Sequence, residues 1–293
     1  MRVGVAGLGF MGSGMASRLI AAGNPVFVHN RSRSKAERFS KTAELVSSPK
    51  ELAEKCDFII SVVTDFDAAR DVLLGEDGVV KSGNKDVIVA DASTISPSQS
   101  QHCARALRQA GIDMLGMPVM GGPAAAQAGE LVPIVAGPRE AYDKVRAVIE
   151  VLGKPVFYIG EKDGAANAIK LALNLNIALI ACAVSEGITL VRSSGLDPSL
   201  FLQILNSTYF KTGLSEKKGP KMVRGEFDPS FHMKNMLKDL ELASDTAQAQ
   251  KITLPQTSLA QQMYRAASNS GFSEMDYTAI CAFLTKINGM ESP

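Results

Sequence analysis

The chain has 293 residues, 46% of them hydrophobic and 21% charged; the length fits two domains, and the composition excludes a disordered or fibrous chain. Its 31 Lys and Arg nearly cancel its 30 Asp and Glu, leaving a formal net charge of +1, so nucleic acid is not an expected partner, because phosphate binding draws on a basic excess. Four scattered cysteines (Cys56, Cys103, Cys182 and Cys281) form no CxxC pair, which argues against structural zinc and for a reduced compartment.

In chain order, Met1-Arg2 leads straight into an apolar strand, so no signal peptide is expected. The expected location is the cytoplasm, or the mitochondrion if a presequence has been removed. Val3 to Ala6, Pro25 to His29, Phe58 to Val63, Val87 to Ala90, Met114 to Met117 and Val132 to Ala136 are short apolar runs. Amphipathic stretches such as Met11 to Ala22 and Ser98 to Ala110 lie between them. This alternation predicts an α/β domain with a parallel sheet covered by helices on both faces. After Val156 to Gly160 the texture changes, and no strand is expected from Asp163 onward. Asp163 is placed to cap a helix of about thirty residues, long for a globular protein, which Gly195 and Pro198 end. Leu200 to Leu205, Met236 to Ala249, Ser258 to Ala267 and Met275 to Ile287 read as further helices. The expected organisation is a dinucleotide-type domain over 1–162, an interdomain helix over 163–194 and an all-α domain over 195–293. The most apolar stretch, Ala168 to Val184, is interrupted by Lys170, Asn174 and Asn176, so no membrane partner is expected.

The chemistry begins at the first turn. Gly7-Leu8-Gly9-Phe10-Met11-Gly12 is a GxGxxG sequence between a predicted strand and a predicted helix. Gly7 permits the tight turn, Gly9 lets a pyrophosphate approach the backbone, and Gly12 lets the helix pack on the strand, as in a doubly wound Rossmann-type sheet. The helix N-terminus offers N–H groups and a positive dipole end to the anion. The second strand ends in Asn30-Arg31-Ser32, where an NAD-selective site carries Asp or Glu. An Arg and a Ser there suit a 2′-phosphate. NADP(H) is therefore the preferred cofactor, with NAD(H) as the alternative. Farther on, Lys170 and Asn174 stand four apart, hence on one helix face, and a Lys in an apolar helical stretch is costly to bury without a role or a partner. His29, His102 and His232 are isolated, so neither a metal site nor a nucleophilic triad is expected.

Taken together, these segments resemble the β-hydroxyacid dehydrogenase family, in four motifs that run in order through the whole chain. Gly7 to Met15 resembles its cofactor motif, Asp91 to Pro97 its DxSTxxP segment, and Pro118 to Gly122 with Ala128 to Leu131 its substrate loop. Gly164 to Asn174 resembles its GxxxKxxxN motif, and Lys238-Asp239-Leu240 its KDL helix. The resemblance implies that Lys170 is the general acid or base and that Asn174 positions the substrate. It implies that Thr94 and Lys238 approach the cofactor, that Gly121 and Gly122 offer N–H groups to a substrate carboxylate, and that Asp239 orients Lys238 or contacts substrate. Phe231 resembles an aromatic near the active site, with ordinary core packing as the competing reading. Met120 stands where many relatives have Ser, so the substrate loop departs from the pattern there. Leu173 replaces an additional Asn of some relatives and, with Asn30-Arg31-Ser32, leans toward NADPH-dependent semialdehyde or glyoxylate reductases. The implied partner is a small carboxylate substrate, and the implied assembly is a homodimer or homotetramer. The alternatives are an imine reductase on the same scaffold, a group that usually lacks Lys at the position of Lys170, and a non-catalytic interaction module.

Overall fold

The computed structural model describes residues 1–291. The first part runs β1 (Val3–Ala6), α1 (Phe10–Ala21), β2 (Val26–His29), α2 (Arg33–Glu37), β3 (Glu44–Leu45), α3 (Pro49–Lys55), β4 (Phe58–Ser61), α4 (Phe66–Leu74), β5 (Ile88–Asp91), α5 (Pro97–Gln109) and β6 (Asp113–Gly116). The six strands form one sheet in the order β3-β2-β1-β4-β5-β6, every neighbouring pair parallel. The order reverses between β1 and β4, and in open α/β sheets ligands bind outside the strand C-termini at that point.

The sequence explains the burial. β1, β4 and β5 are buried along their whole length, as their unbroken apolar character requires once helices cover both faces. One core cluster includes Val5, Leu8, Met15, Leu19 and Ile60. A second includes Leu52, Ile59, Leu73, Val89 and Leu107. α5 starts sharply because Ser96 and Gln99 form a reciprocal capping box ahead of Pro97.

Next come β7 (Val119–Met120), α6 (Pro123–Ala128), β8 (Val132–Val135), α7 (Arg139–Leu152) and β9 (Phe157–Tyr158). The three strands make a small mixed sheet, with β7 antiparallel and β9 parallel to β8. β3, β7 and β9 are two residues long, too short to leave a period-two signal, and the sequence reading does not anticipate them.

α8 (Ala165–Ser193) is a single helix of 29 residues. Asp163 does not cap it by the expected route: its carboxylate accepts two hydrogen bonds of 3.0 Å from Arg108. The Arg108 Nη2, which reaches both carboxylate oxygens, outcompetes a lone capping contact because its bonds are charge-assisted. By length and composition α8 is apolar enough to cross a membrane, and 33% of its most apolar stretch is buried in the protein. The chain divides into two compact units inside this helix, Met1–Lys170 and Leu171 onward.

The second unit continues with α9 (Pro198–Asn206), α10 (Gly213–Lys217), α11 (Gly219–Arg224), α12 (Met233–Ala249), α13 (Pro255–Ala267) and α14 (Ile280–Ile287). No strand occurs among its described residues. Asp197 caps α9 as expected, accepting from the Ser199 N–H at 2.8 Å. Ala178 and Ala181 of α8 pack with Met236 and Leu240 of α12, Tyr264 of α13, and Ile280 and Phe283 of α14. Asp276 ties the loops to this core: it accepts from Lys218 Nζ at 2.6 Å, the Ser230 N–H at 3.0 Å and Thr278 Oγ1 at 2.8 Å. Burial pushes the thiols of Cys56, Cys103 and Cys182 up to about 12, so each stays protonated at neutral pH.

Candidate active site

The glycine turn joins β1 to α1 at the ligand-binding edge of the sheet. Gly7 has φ +98°, and a Cβ there would stand 2.3 Å from the Val62 carbonyl oxygen. No other residue fits both demands. The turn is held from two sides. Asn30 Oδ1 accepts the Leu8 N–H at 2.8 Å, while Arg38 donates to the Leu8 carbonyl at 3.0 Å and also touches the Ser13 hydroxyl. Ser13 Oγ donates to the same carbonyl at 3.0 Å.

These contacts refine the sequence reading. Asn30 spends its oxygen on the turn and donates its Nδ2 to the Ser32 carbonyl, so it shapes the turn from within the protein. Arg31 and Ser32 are exposed beyond β2. Arg38 was missed, since it lies beyond α2 outside any motif and only the fold brings it to Leu8. Phe10 is exposed and Met11 half-buried at the start of α1. The helix has no side-chain cap at Gly9, and a Cβ on Gly9 would meet nothing within 4 Å. A turn clamped into shape, an open approach at Gly9 and an uncapped first turn together fit the pyrophosphate of a dinucleotide.

Along the same edge, Ser93 Oγ donates to Asp91 Oδ1 at 2.7 Å and accepts the Val63 N–H at 3.0 Å. The Met117 N–H donates to the Asp91 carbonyl at 2.8 Å. Asp91 and Ser93 thereby brace the segments that follow β4, β5 and β6. Thr94, half-buried, follows Ser93 directly. Burial lowers His29, at the end of β2, below the ordinary imidazole value, which favours its neutral form.

Lys170 projects from α8 toward the substrate-loop residues of its own unit. It is 9% exposed. Its Nζ donates to the Val119 carbonyl at 2.8 Å and lies 3.3 Å from Met120 Sδ. Met120 packs against the cluster of Ile134, Ala136 and Ala166. Gly121 and Gly122 follow, both exposed, with Gly122 in extended conformation as the N-cap of α6. The expected neighbours Lys170, Met120, Gly121 and Gly122 thus lie in one stretch of the first unit. An ammonium held this way is aimed, and general acid chemistry needs an aimed proton.

Asn174 stands one turn further along α8, in the second unit, and is 4% exposed. Its Nδ2 donates to Asp239 Oδ2 at 2.5 Å. Asp239 Oδ1 pairs with Lys238 Nζ at 3.0 Å. The structure therefore brings three predicted residues, Asn174, Asp239 and Lys238, into one chain of contacts. Phe231 instead lies edge-on to Tyr277, ring centroids 6.1 Å apart, against the core of its own unit. Core packing is the role its geometry supports.

Comparison with known proteins bears on the fold and the family. Residues 2–160 match the family described as the NAD binding domain of 6-phosphogluconate dehydrogenase. Residues 164–284 match the one described as NAD-binding of NADP-dependent 3-hydroxyisobutyrate dehydrogenase. Glyoxylate/succinic semialdehyde reductase 2 of Arabidopsis thaliana chloroplasts is 30% identical over 99% of this chain and 81% of its own length. The 2-hydroxy-3-oxopropionate reductase of Escherichia coli is 32% identical over 96% of both chains. A protein solved in complex with NADP+ and 2-OPP superposes with a TM-score of 0.88 at 28% identity, over 96% of this chain and 99% of that one. Motif order, sheet topology and likeness along the full length converge, and the chain belongs to the β-hydroxyacid dehydrogenase family as an NAD(P)-dependent dehydrogenase or reductase.

Proposed function

We propose that the protein interconverts a small aldehyde acid, of the semialdehyde or glyoxylate type, with its hydroxyacid, using NADP(H) in preference to NAD(H). The single observation that carries the reading is Lys170: a nearly buried ammonium, fixed by the Val119 carbonyl and the Met120 thioether, on the helix that also bears Asn174. When bound at the glycine turn, the dinucleotide supplies or accepts the hydride. Lys170 donates the proton to the carbonyl oxygen during reduction and takes it back during oxidation. Its positive charge also stabilises the oxyanion that develops there. Asn174, its amide oriented by Asp239, positions the substrate. The N–H groups of Gly121 and Gly122 receive the carboxylate. Arg31 and Ser32, exposed past β2, are the groups for a 2′-phosphate, and the likeness to a chain solved with NADP+ supports that preference. The protein assembles as a homodimer or homotetramer, in keeping with the exposed apolar side chains of α9.

Replacing Lys170 with Ala tests the reading. NADPH affinity, measured by quenching of nucleotide fluorescence, should stay within about twofold, while kcat falls by roughly a hundredfold or more, the scale of general acid catalysis. An unchanged kcat would remove Lys170 from the chemistry.

A further inference from the structure

We infer that Met120 is an oxidation site whose sulfoxide captures the Lys170 ammonium and shuts off turnover. The effect on turnover rests on the reading of Lys170 as the proton donor. Met120 Sδ lies 3.3 Å from Lys170 Nζ, and a Ser at this position would have no such chemistry. The sulfur is within reach of a small oxidant. Met120 is half-buried and directly precedes the exposed Gly121 and Gly122, whereas Met15, Met114, Met117 and Met233 are at most 2% exposed. Hydrogen peroxide is the oxidant. A sulfur lone pair attacks one peroxide oxygen and the O–O bond breaks. The departing hydroxide takes up the proton of the transferred oxygen, which leaves a sulfoxide and water. Sulfur loses two electrons and the peroxide gains them.

The contacts of the ammonium with the carbonyl and the thioether are unequal. The Val119 carbonyl, 2.8 Å away, holds one N–H firmly, and the thioether, a weak acceptor, holds another loosely. The loosely held N–H is the one a substrate oxygen can claim. Oxidation replaces the soft acceptor with a polar S–O group. Ile134, Ala136 and Ala166, against which the side chain packs, are apolar, so an oxygen turned toward them would be desolvated without a partner. Turned toward Lys170, the oxygen accepts a charge-assisted hydrogen bond. The ammonium then holds its proton more tightly, and the sulfoxide oxygen fills the place of the substrate carbonyl.

The test exposes the wild type to hydrogen peroxide and removes the excess with catalase. Turnover of succinic semialdehyde with NADPH, nucleotide affinity and oxygen uptake at each methionine are then followed, the last by peptide mass spectrometry. Turnover should fall in step with oxidation of Met120 and reach about a hundredfold loss, the scale of general acid catalysis, while NADPH affinity stays within about twofold. Methionine sulfoxide reductases with dithiothreitol should restore turnover; dithiothreitol alone, which reverses thiol oxidation, should not. Met120→Leu, compared with its own untreated sample, should lose no turnover under the same exposure. Independently of turnover, acetylation of Lys170 by acetic anhydride should slow by about tenfold once Met120 carries oxygen. Met120 left intact after the exposed Met1 and Met275 have reacted overturns the inference. So does full turnover with Met120 oxidised, or unchanged acetylation of Lys170. Lys170→Ala separates the two readings. If it keeps its turnover, the assignment of Lys170 as proton donor falls, and acetylation alone reports on the sulfoxide contact; if it is inactive while the oxidised wild type is not, only the inference about Met120 falls. Thermal unfolding of the oxidised protein confirms that it is folded.

Discussion

Gly12 shows how much one absent side chain decides. A Cβ there would stand 1.9 Å from the Gly7 carbonyl oxygen and 2.8 Å from Val62 Cγ1, so α1 can approach the turn only without one. Gly12→Ala should cost about 1–3 kcal/mol by overpacking and weaken NADPH binding by tenfold or more as the helix shifts off the turn; urea unfolding and a fluorescence titration measure the two effects. Arg31 raises a question of charge. Arg31→Asp removes a fork that matches phosphate and adds the acid that accepts from a ribose 2′-OH. It should lower kcat/KM for NADPH by about tenfold or more and leave NADH the same or better. A retained NADPH preference would transfer phosphate recognition to another group, and Arg38, already at the Leu8 carbonyl, is a cation to examine. The roles of Gly7 and Gly12 were legible because glycine spacing is a local requirement. That of Arg38 was not, because its contact spans 30 residues of sequence and exists only once β1 and β2 pair.

Between elements, the Asp276 cluster carries a pH signature. Burial alone would raise this carboxyl, but the hydrogen bond from Lys218, the Ser230 N–H, the Lys218 charge and the Thr278 hydroxyl outweigh it, and the folded value lies below the ordinary 3.8. The folded state therefore binds the proton less readily than the unfolded chain. The stabilisation is complete above the unfolded value and is lost as pH falls through the folded one. Asp276→Asn should cost about 3 kcal/mol at pH 7, because it leaves the Lys218 ammonium without its partner. The gap between variant and wild type should close below about pH 4. Urea unfolding across pH 3–7 measures it, and a gap that stays constant with pH would contradict the assignment. The sequence reading could not find this cluster, since Lys218, Ser230 and Asp276 share no motif. The long helix was legible from its apolar period. Its true start was not, because the grip of Arg108 on Asp163 depends on α5 lying beside it.

For the whole molecule, Leu200 and Ile204 stand four apart on α9 and are exposed, as are Leu196, Tyr209 and Phe210 nearby. Exposed apolar side chains clustered in this way mark an interaction surface. Sedimentation velocity should show a dimer or tetramer, and Leu200→Glu with Ile204→Glu should shift it toward monomer if α9 contributes to the contact. A monomeric wild type at micromolar concentration would refute the proposed assembly. The alternation of apolar runs and helices, the glycine turn, and the order of Asp91-Ser93, Gly121-Gly122 and Lys170-Asn174 along the chain all follow from local preference and spacing, so they could be read from one dimension. The partners of those residues could not. The bracing of Asp91 by Ser93 and the orienting of Asn174 by Asp239 are contacts whose existence depends on which surfaces the fold brings together. The seating of the Lys170 ammonium between a carbonyl and a thioether is of the same kind. Spacing names the candidate groups, whereas their orientation depends on distances between residues as many as 65 positions apart, which only packing in three dimensions can set.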